Sequence, residues 1–350
     1  MSNSKFTLII DGNWLLMSRM STLIGKYATE KNMMKDLSLL MIKSINVVLR
    51  TFPSIDNVMF VSDGGSWRNK IDIPDFLSKD GVEYKGNRIK SADIDWNTIF
   101  SEYEEFINKL RLSGINVYKE PGIEGDDWCW YWSNTLNNAG TNVVIWSKDR
   151  DLTQLVKTDK NGCFTAWWNK ENGVIFEEHS NDHVDFLMNP YYVINSKFSN
   201  ELRNKATKSS TINPNAVVVD KIIRGDAGDN ILPIILRDAK NPSKKKFKVA
   251  TKNLNFELNV QNDDDVKNYL YNLVNSKNYI NRINKSYEDI VEHFKYNRQL
   301  VLLQESSYPD YILSTLNSYS TYTCNKDISV VEQKIQAEKN EIDTLLDSII

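Results

Sequence analysis

Nine carboxylates at five places along the chain suggest metal-dependent chemistry. They are Asp11, Asp63, Glu124, Asp126, Asp127, Asp149, Asp151, Asp226 and Asp229. Like charges brought together raise one another's pKa, so a cluster of this size needs counterions. Mg²⁺ prefers oxygen ligands, and two such ions about 4 Å apart can activate a water and stabilise the leaving oxygen of a phosphodiester. If the fold brings these residues together, they predict metal-dependent phosphoryl chemistry.

Each acidic group also has an ordinary structural explanation when it is considered alone. A single aspartate after a strand is more often a turn or a helix cap, and residues 124–127 could simply open a helix. Residues 148–151 could be a solvated charged loop, and residues 225–230 a turn or a weak Ca²⁺ loop. Only the order and spacing of all five groups favour the functional interpretation.

The elements that must position these carboxylates are predicted to alternate between strands and helices. Short apolar runs predict strands over 5–11, 57–63, 115–120 and 142–149. Spacings of three and four between apolar residues predict helices over 31–52, 95–113 and 125–139. Three of the strands end in Asp11, Asp63 and Asp149, at the edge where open α/β sheets hold their sites. With a hairpin over 164–178, the pattern predicts an α/β fold with a mostly parallel central sheet flanked by helices.

The second half of the chain follows a different pattern. From about residue 181 the apolar spacing is mostly helical, most clearly over 265–274, 287–303 and 329–350. A length of 350 residues suggests about two domains. We therefore expect an α/β domain over 1–185 and a mainly α-helical region over 186–350.

Composition excludes several classes of protein. A net charge of −3, with 41% hydrophobic residues, excludes a generally basic nucleic-acid coat and an acidic disordered chain. The widely spaced cysteines Cys129, Cys163 and Cys324 form neither a disulfide framework nor a CxxC zinc site, which favours a reducing compartment. No stretch approaches the roughly 20 apolar residues of a membrane span. We therefore expect a cytoplasmic protein without a membrane partner.

The motifs around the carboxylates occur in a specific order. They read Asp-Gly-Asn at 11–13, Ser-Asp-Gly at 62–64, Glu-Gly-Asp-Asp at 124–127, Ser-Lys-Asp-Arg-Asp at 147–151 and Gly-Asp-Ala-Gly-Asp-Asn at 225–230. Between the second and third stands Glu-Tyr-Lys-Gly-Asn-Arg at 83–88. This set resembles the 5′-to-3′ exonuclease and flap endonuclease family over about residues 6–232. It is similar to phage RNase H-like 5′ nucleases and to the 5′-nuclease domain of bacterial DNA polymerase I.

The resemblance implies a fold and a cofactor set. It implies a PIN-like 5′ nuclease core with a helical arch over about 64–95, and a diverged helix-hairpin-helix element in the DNA-binding second region. It implies two divalent metal ions, Mg²⁺ with Mn²⁺ as a substitute. The first ion would take Asp11, Asp63, Glu124, Asp126 and Asp127, among which Asp63 and Asp127 are expected to be essential for catalysis. The second would take Asp149, Asp151, Asp229 and, as the least certain ligand, Asp226.

Basic residues are the expected contacts to nucleic acid. By resemblance, Lys85 and Arg88 lie on the arch beside the scissile phosphate, where they would neutralise charge in the transition state. Further candidate phosphate contacts are Arg19, Arg68, Lys244, Lys245, Lys246 and Lys248. Arg19 and Arg68 could equally be surface residues, and the lysines a solvated loop. Trp14 and Trp67 could stack on an unpaired base.

The chain departs from the family after Asn230. Residues 231–238 lack the glycine-rich hairpin that would hold a monovalent cation, so we do not expect a K⁺ site. The favoured function is a metal-dependent, structure-specific 5′ nuclease, a 5′-3′ exonuclease or flap endonuclease that could also remove RNA primers during phage DNA replication. The alternatives are a PIN-type ribonuclease on single-stranded RNA and a non-catalytic DNA-binding replication protein.

The expected partners follow from this function. They are DNA with 5′ ends, flaps or nicks, and RNA–DNA hybrid. The helix predicted over 329–350 could contact a clamp, a single-strand binding protein or simply the core. We expect a monomer, in the host cytoplasm if the protein is encoded by a phage.

Overall fold

The structure is a computed structural model and is described in its more certain parts. The described residues are 5–24, 26, 30–52, 54–78, 83–88, 94–177, 209–235, 248–280, 282–283 and 285–347. Contacts divide the chain into two compact units. The first unit comprises Met1–Gly65, Lys90–Ile212 and Thr315–Ile350, and the second comprises Ser66–Ile89 and Asn213–Ser314.

The first unit is built on an eight-stranded sheet. Its strands are β1 (Lys5–Asp11), β2 (Asn57–Val61), β3 (Asn116–Tyr118), β4 (Thr141–Trp146), β5 (Lys157–Thr158), β6 (Phe164–Asn169), β7 (Gly173–Glu177) and β8 (Ser209–Ile212). The spatial order is β3-β2-β1-β4-β6-β7-β8, with β5 on β6. Neighbours pair in parallel except at β5–β6 and β6–β7. The predicted fold class and the predicted hairpin are therefore confirmed.

Four helices cover this sheet before the hairpin is reached. They are α1 (Gly12–Met20), α2 (Glu30–Thr51), α3 (Trp96–Leu112) and α4 (Gly125–Asn138). Every residue of β2 and of β4 is buried, as expected for parallel strands with helices on both faces. Trp128 and Trp132 of α4 are fully buried, and both contact the ring of Tyr118. Residues four positions apart lie on the same face of a helix, so both rings reach the same neighbour.

Two of the site-bearing strands end earlier than the sequence predicts. Strand β1 ends at Asp11 as expected, but β2 ends at Val61 and β4 at Trp146. Asp63 and Asp149 therefore lie in the loops that follow. The cause is local for Asp149, because its side chain accepts a hydrogen bond from the backbone N–H of Asp151 and caps the 3-10 helix Arg150–Leu155.

The end of the chain returns to the first unit. Helix α9 (Ser329–Asp347) follows a segment in which the Asn325 carbonyl accepts a 2.9 Å hydrogen bond from the Val58 N–H of β2. Along α9, Lys339 pairs with Asp36 of α2. A linear division at residue 185 therefore differs from the contact-based units, because these long-range bonds join distant parts of the sequence. Position 185 itself lies outside the described residues.

The second unit is helical. Its main elements are α5 (Pro214–Arg224), α6 (Asp263–Asn275), α7 (Tyr287–Val301) and the start of α8 (Asp310–Asn317). Leu77 joins them in one apolar cluster, so part of the predicted arch segment packs with this unit. The described residues between 64 and 95 contain the 3-10 helix Trp67–Lys70 and turns, and the rest of the predicted arch lies outside them. In the described parts of the chain, every helix is too short or too polar to span a membrane.

His293 of α7 should make the stability of the second unit depend on pH. Burial, and then the charge of Lys285, lower its pKa from 6.5 to about 3. Between these values the unfolded chain binds a proton that the folded chain does not, so the free energy of unfolding falls as the pH drops from about 6.5 towards 3. Between pH 7 and pH 5, this effect should lower the free energy of unfolding of the parent protein by about 2 kcal/mol. We expect His293→Gln to lack this part of the decrease.

Urea denaturation of both proteins at pH 7 and pH 5 measures this difference. The comparison uses the change with pH within each protein, so a general loss of stability in the variant does not affect it. Equal pH dependence in the two proteins would contradict the assignment.

Candidate metal centre

Asp11 is the most constrained carboxylate of the first unit. It closes β1, and its Oδ1 accepts a 2.9 Å hydrogen bond from the Trp14 N–H at the start of α1. Its Oδ2 accepts a 2.7 Å bond from the Ser147 hydroxyl. Burial, with added repulsion from Asp63 and Asp149, nevertheless raises the pKa of Asp11 to about 7. The three carboxylates predicted at strand ends therefore interact electrostatically at one edge of the sheet.

Asp63 is held by residues at the N-termini of two helices, α1 and α4. The Asn13 side-chain amide donates a 2.8 Å hydrogen bond to its Oδ2, and the Gly125 N–H donates a 2.7 Å bond to its Oδ1. The Asn13 Oδ1 in turn accepts from the Ser62 hydroxyl at 2.6 Å and from the Asp63 N–H at 3.1 Å. Asn13 thus fixes the position of the loop after β2 relative to α1.

The carboxylates of residues 124–127 gather at the N-terminus of α4, as predicted. Glu124 is the N-cap residue, and Asp126 and Asp127 lie in the first turn. Asp127 is fully buried, and its Oδ2 accepts a 3.0 Å hydrogen bond from the Glu124 N–H. The helix dipole favours negative charge at this end. Asp127 therefore helps to begin the helix in addition to any role towards a metal.

Asp149 and Asp151 follow β4 in a more open environment. Asp149 is exposed and Asp151 is partly buried. The Asp149 N–H donates a 2.9 Å hydrogen bond to the Ser147 hydroxyl, which itself donates to Asp11. Ser147 thereby links the loop after β4 to the end of β1. Neither Ser147 nor Asn13 had a predicted role, although both lie within two residues of a site carboxylate.

The chemistry of these donors fits a hard divalent cation. All the site side chains are carboxylates, which is the ligand type that Mg²⁺ and similar ions prefer. A cation beside Asp11 would also relieve the repulsion that raises its pKa. The nearby Cys129 thiol is fully buried, and burial, together with the charge of Asp11, raises its pKa, so it stays protonated and is a poor ligand.

Two further predicted ligands lie in the second unit. Carboxylate oxygens of Asp226 and Asp229 lie within 4.8 Å of each other. Asp226 pairs with Lys221 at 2.5 Å, and Asp229 pairs with Arg88 at 2.6 Å. Burial raises the pKa of Asp226, but the bond to Lys221 and its charge outweigh this effect, so the pKa lies below its ordinary value. Each of these carboxylates is thus neutralised by a basic residue of the chain.

The arch motif at residues 83–88 packs against the acidic turn at 225–230. The Lys85 N–H donates a 2.9 Å hydrogen bond to the Asp229 carbonyl, and the Asn87 side chain donates a 2.7 Å bond to Ala227. The Asn230 side chain donates a 2.9 Å bond to the Glu83 carbonyl. Two motifs that the sequence presents 140 residues apart therefore form one local structure.

Several predicted nucleic-acid contacts are placed differently from expectation. Arg68 is only 3% exposed, its Nε donates a 3.0 Å hydrogen bond to the Leu300 carbonyl, and its guanidinium lies 4.6 Å from the Trp67 ring centroid. Trp67 is buried as well. This argues against Arg68 as a phosphate contact and Trp67 as a stacking platform. Arg19 is partly buried on α1, Lys248 is exposed, and Lys244, Lys245 and Lys246 lie outside the described residues.

Fold and site together define a class of protein. An open, mostly parallel sheet with clustered oxygen donors at its carboxyl edge is an α/β architecture suited to binding cations and phosphate esters. Residues 6–184 match the family model of the 5′-3′ exonuclease N-terminal, resolvase-like domain. The chain belongs to the 5′-3′ exonuclease family.

Individual relatives agree with this assignment. A 5′-3′ exonuclease of Buchnera aphidicola subsp. Acyrthosiphon pisum is 25% identical over an alignment of 158 residues, which covers 42% of this chain and 49% of that protein. The match therefore spans about half the length of that curated relative.

Two solved structures share the fold. The T5 D15 protein co-crystallised with metal ions aligns with a TM-score of 0.54 and 15% identity, over 90% of this chain and 97% of the other. The T5 5′-exonuclease with bound divalent zinc aligns with a TM-score of 0.52 and 16% identity, over 89% and 97%.

Removing the charge of Asp11 should stabilise the protein when no divalent cation is present. Its pKa of about 7 lies above the ordinary 3.8, so the folded state binds the proton more tightly and stability falls as the pH rises from about 4 through 7. We expect Asp11→Asn to raise the free energy of unfolding at pH 8, by at most about 4 kcal/mol.

Thermal unfolding in EDTA at pH 5 and pH 8 measures this effect. Asp56→Asn is the matched control, because Asp56 is exposed just before β2, at the opposite end of that strand from Asp63. If Asp11→Asn loses stability equally at both pH values, the charge of Asp11 does not destabilise the folded protein.

Proposed function

We propose that the chain is a metal-dependent, structure-specific 5′ nuclease that hydrolyses DNA phosphodiesters near 5′ ends, flaps or nicks. The convergence of Asp11, Asp63 and Asp149 at one sheet edge carries the proposal, because mutual repulsion there calls for a cation. Membership of the 5′-3′ exonuclease family supports it. The proposed cofactor is Mg²⁺, bound as two ions, for which Mn²⁺ can substitute.

The proposed ligands follow from the site of the first unit. Asp11, Asp63, Glu124, Asp126 and Asp127 would hold one ion, directly or through water. Asp149 and Asp151 are proposed ligands of the other. Divalent ions in such a site supply activation of a water and stabilisation of the leaving oxygen. The chain's own contribution is orientation: Asn13 fixes Asp63, and Ser147 fixes both Asp11 and the loop of Asp149.

Asp226 and Asp229 are proposed ligands of the second ion only if each first gives up its ion pair. Both supply oxygen donors, but each is paired with a basic residue of its own unit. To bind a cation, Asp226 would have to release Lys221, and Asp229 would have to release Arg88. Release of Arg88 would also free a guanidinium for a substrate phosphate, with which it can form a bidentate pair.

Lys85 is the proposed electrostatic contact to the scissile phosphate. Its backbone adopts a positive φ of 56° and is tied to Asp229, so the start of the side chain is fixed although its ammonium lies at the end of a flexible stem. The ammonium lies 4.9 Å from the Tyr84 ring centroid. A cation held there would stabilise the charge that develops on phosphate oxygens.

Family membership does not favour the two alternatives, a PIN-type ribonuclease and a non-catalytic DNA-binding protein. Removal of RNA primers from RNA–DNA hybrids stays part of the proposal, as does action as a monomer in the cytoplasm. The proposed protein partner of α9 is a clamp or a single-strand binding protein, and the ion pair between α9 and α2 also gives α9 a structural role. Digestion of 5′-flap DNA, nicked DNA, RNA–DNA hybrid and unstructured RNA with Mg²⁺ compares these substrates directly. Preferred cleavage of the unstructured RNA would favour the ribonuclease.

Asp63→Asn should remove cleavage without removing the fold. The variant keeps the shape of the side chain but loses a charged ligand, so we expect the single-turnover rate on 5′-flap DNA to fall about 10³-fold. Asp56→Asn is the matched control and should cleave like the parent protein. If the variant keeps more than a tenth of the parent rate at saturating Mg²⁺, Asp63 is not an essential metal ligand.

Lys85→Met should affect the chemical step more than DNA binding. Methionine preserves the length of the side chain but removes its charge, and we expect the single-turnover rate to fall about 10²-fold. The Kd for flap DNA, measured in EDTA, should change less than fivefold. Lys252→Met, at an exposed lysine of the same unit, is the control. An unchanged rate would show that Lys85 does not act on the phosphate.

A further inference from the structure

A cavity of about 380 Å³ opens in the first unit beside the candidate metal centre. Its walls come from α1, from the second half of α2, and from residues at the carboxyl ends of β4 and β6. The volume falls in the range of about 300–1,000 Å³ that is usual for small-molecule pockets. The proposed metal ligands do not line it, so it is a separate feature of this edge of the sheet.

One wall of the cavity is made of three tryptophans. Trp146 lies between Trp14 and Trp168, with ring centroids 5.6 Å and 5.7 Å from theirs. Trp146 and Trp168 are almost fully buried and support the ring of Trp14, which is partly exposed and can offer a face to a ligand. Aromatic surfaces of this kind bind nucleic-acid bases by stacking, at about 1–3 kcal/mol per base and with little sequence preference.

Four basic residues are among the others that line the cavity, together with aliphatic and neutral polar side chains. Arg19, Lys43, Lys148 and Lys170 outnumber the single acidic residue, Glu171, which pairs with Lys148. The Nε of Arg19 is buried without a hydrogen-bond partner among the described residues. Burying a polar donor in this way is costly unless a partner is supplied. A bound anion would supply one, which an apolar ligand would not.

The cavity is connected by the backbone to the carboxylates. Trp14 donates its N–H to Asp11, and Lys148 lies between Ser147, which also donates to Asp11, and Asp149. A ligand in the cavity would therefore contact the same loops that hold the candidate metal centre. Its occupancy would restrain the positions of those loops.

We propose that this cavity binds one unpaired nucleotide, with its base against Trp14 and its phosphate at Arg19 and Lys43. The nucleotide has two possible sources, a DNA strand bound for cleavage or a free nucleoside monophosphate. Both present a flat base joined to a phosphate. The first source rests on the proposed nuclease function, and the second does not.

The free nucleotide is tested by calorimetric titration of deoxyadenosine 5′-monophosphate into the full chain, in EDTA so that no cleavage occurs. The DNA source is tested with a duplex carrying one unpaired 2-aminopurine nucleotide at its 5′ end. Stacking on tryptophan should quench the fluorescence of that base. Heat of binding without quenching would identify the free nucleotide as the ligand, and quenching would identify the DNA strand.

Two variants remove different parts of the proposed contact. Trp14→Leu takes away an aromatic face, and Lys43→Glu reverses a charge. Each should weaken binding at least about fivefold, the loss that corresponds to about 1 kcal/mol. Arg50→Glu is the control, because Arg50 is exposed in the last turn of the same helix as Lys43 and does not line the cavity. Its binding should stay within twofold of the parent protein.

Absence of both signals, or equal binding by Lys43→Glu and Arg50→Glu, would overturn the proposal. Cleavage of flap DNA by the same preparation separates the two hypotheses. Cleavage without nucleotide binding rejects only the cavity as a site. Variant-sensitive binding without cleavage rejects only the nuclease function.

Discussion

Burial of the Asp11 carboxylate next to two other acids is the constraint on which the first unit depends. Asp11 lies where burial and two neighbouring acids disfavour its charge, and its pKa of about 7 records the sum of these effects. Two hydrogen bonds, from Trp14 and Ser147, offset only part of it. A fold selected for stability alone would not need this arrangement. A divalent cation both removes the repulsion and uses the carboxylate oxygens, so the instability becomes binding energy for the metal.

The sheet order produces this crowding. Strand β1 lies between β2 and β4, and all three run in the same direction, so the segments after them begin at one edge. The loops then approach more closely than ordinary side chains permit. A Cβ at Gly64 would collide with the Glu120 carbonyl, and one at Gly125 would lie 3.2 Å from the Asp63 Oδ1. Glycine at position 64 is thus required by the packing of these loops, and a side chain at position 125 would crowd Asp63.

The sequence was sufficient for the fold class because apolar periodicity reports which faces are buried. It also indicated that Asp11, Asp63 and Asp149 would be neighbours, since strand ends in a parallel sheet share an edge. It did not reveal that α9 returns to the first unit, because the bonds of Asn325 and Lys339 join residues more than 260 positions apart. Nor could it show that Arg68 is buried, since burial of an arginine depends on a carbonyl acceptor at Leu300 and on the Trp67 ring.

The candidate ligands Asp226 and Asp229 of the second unit are held differently from Asp11 of the first unit. In the second unit Lys221 and Arg88 neutralise Asp226 and Asp229 with charges from the chain itself. In the first unit Asp11 is held by neutral donors instead. A net charge of −3 therefore includes an acidic site within a chain that is otherwise slightly basic. Such a site repels phosphate until a cation binds, so metal binding must come before productive binding of a nucleic acid, and near-neutrality of the whole chain is no argument against that ligand.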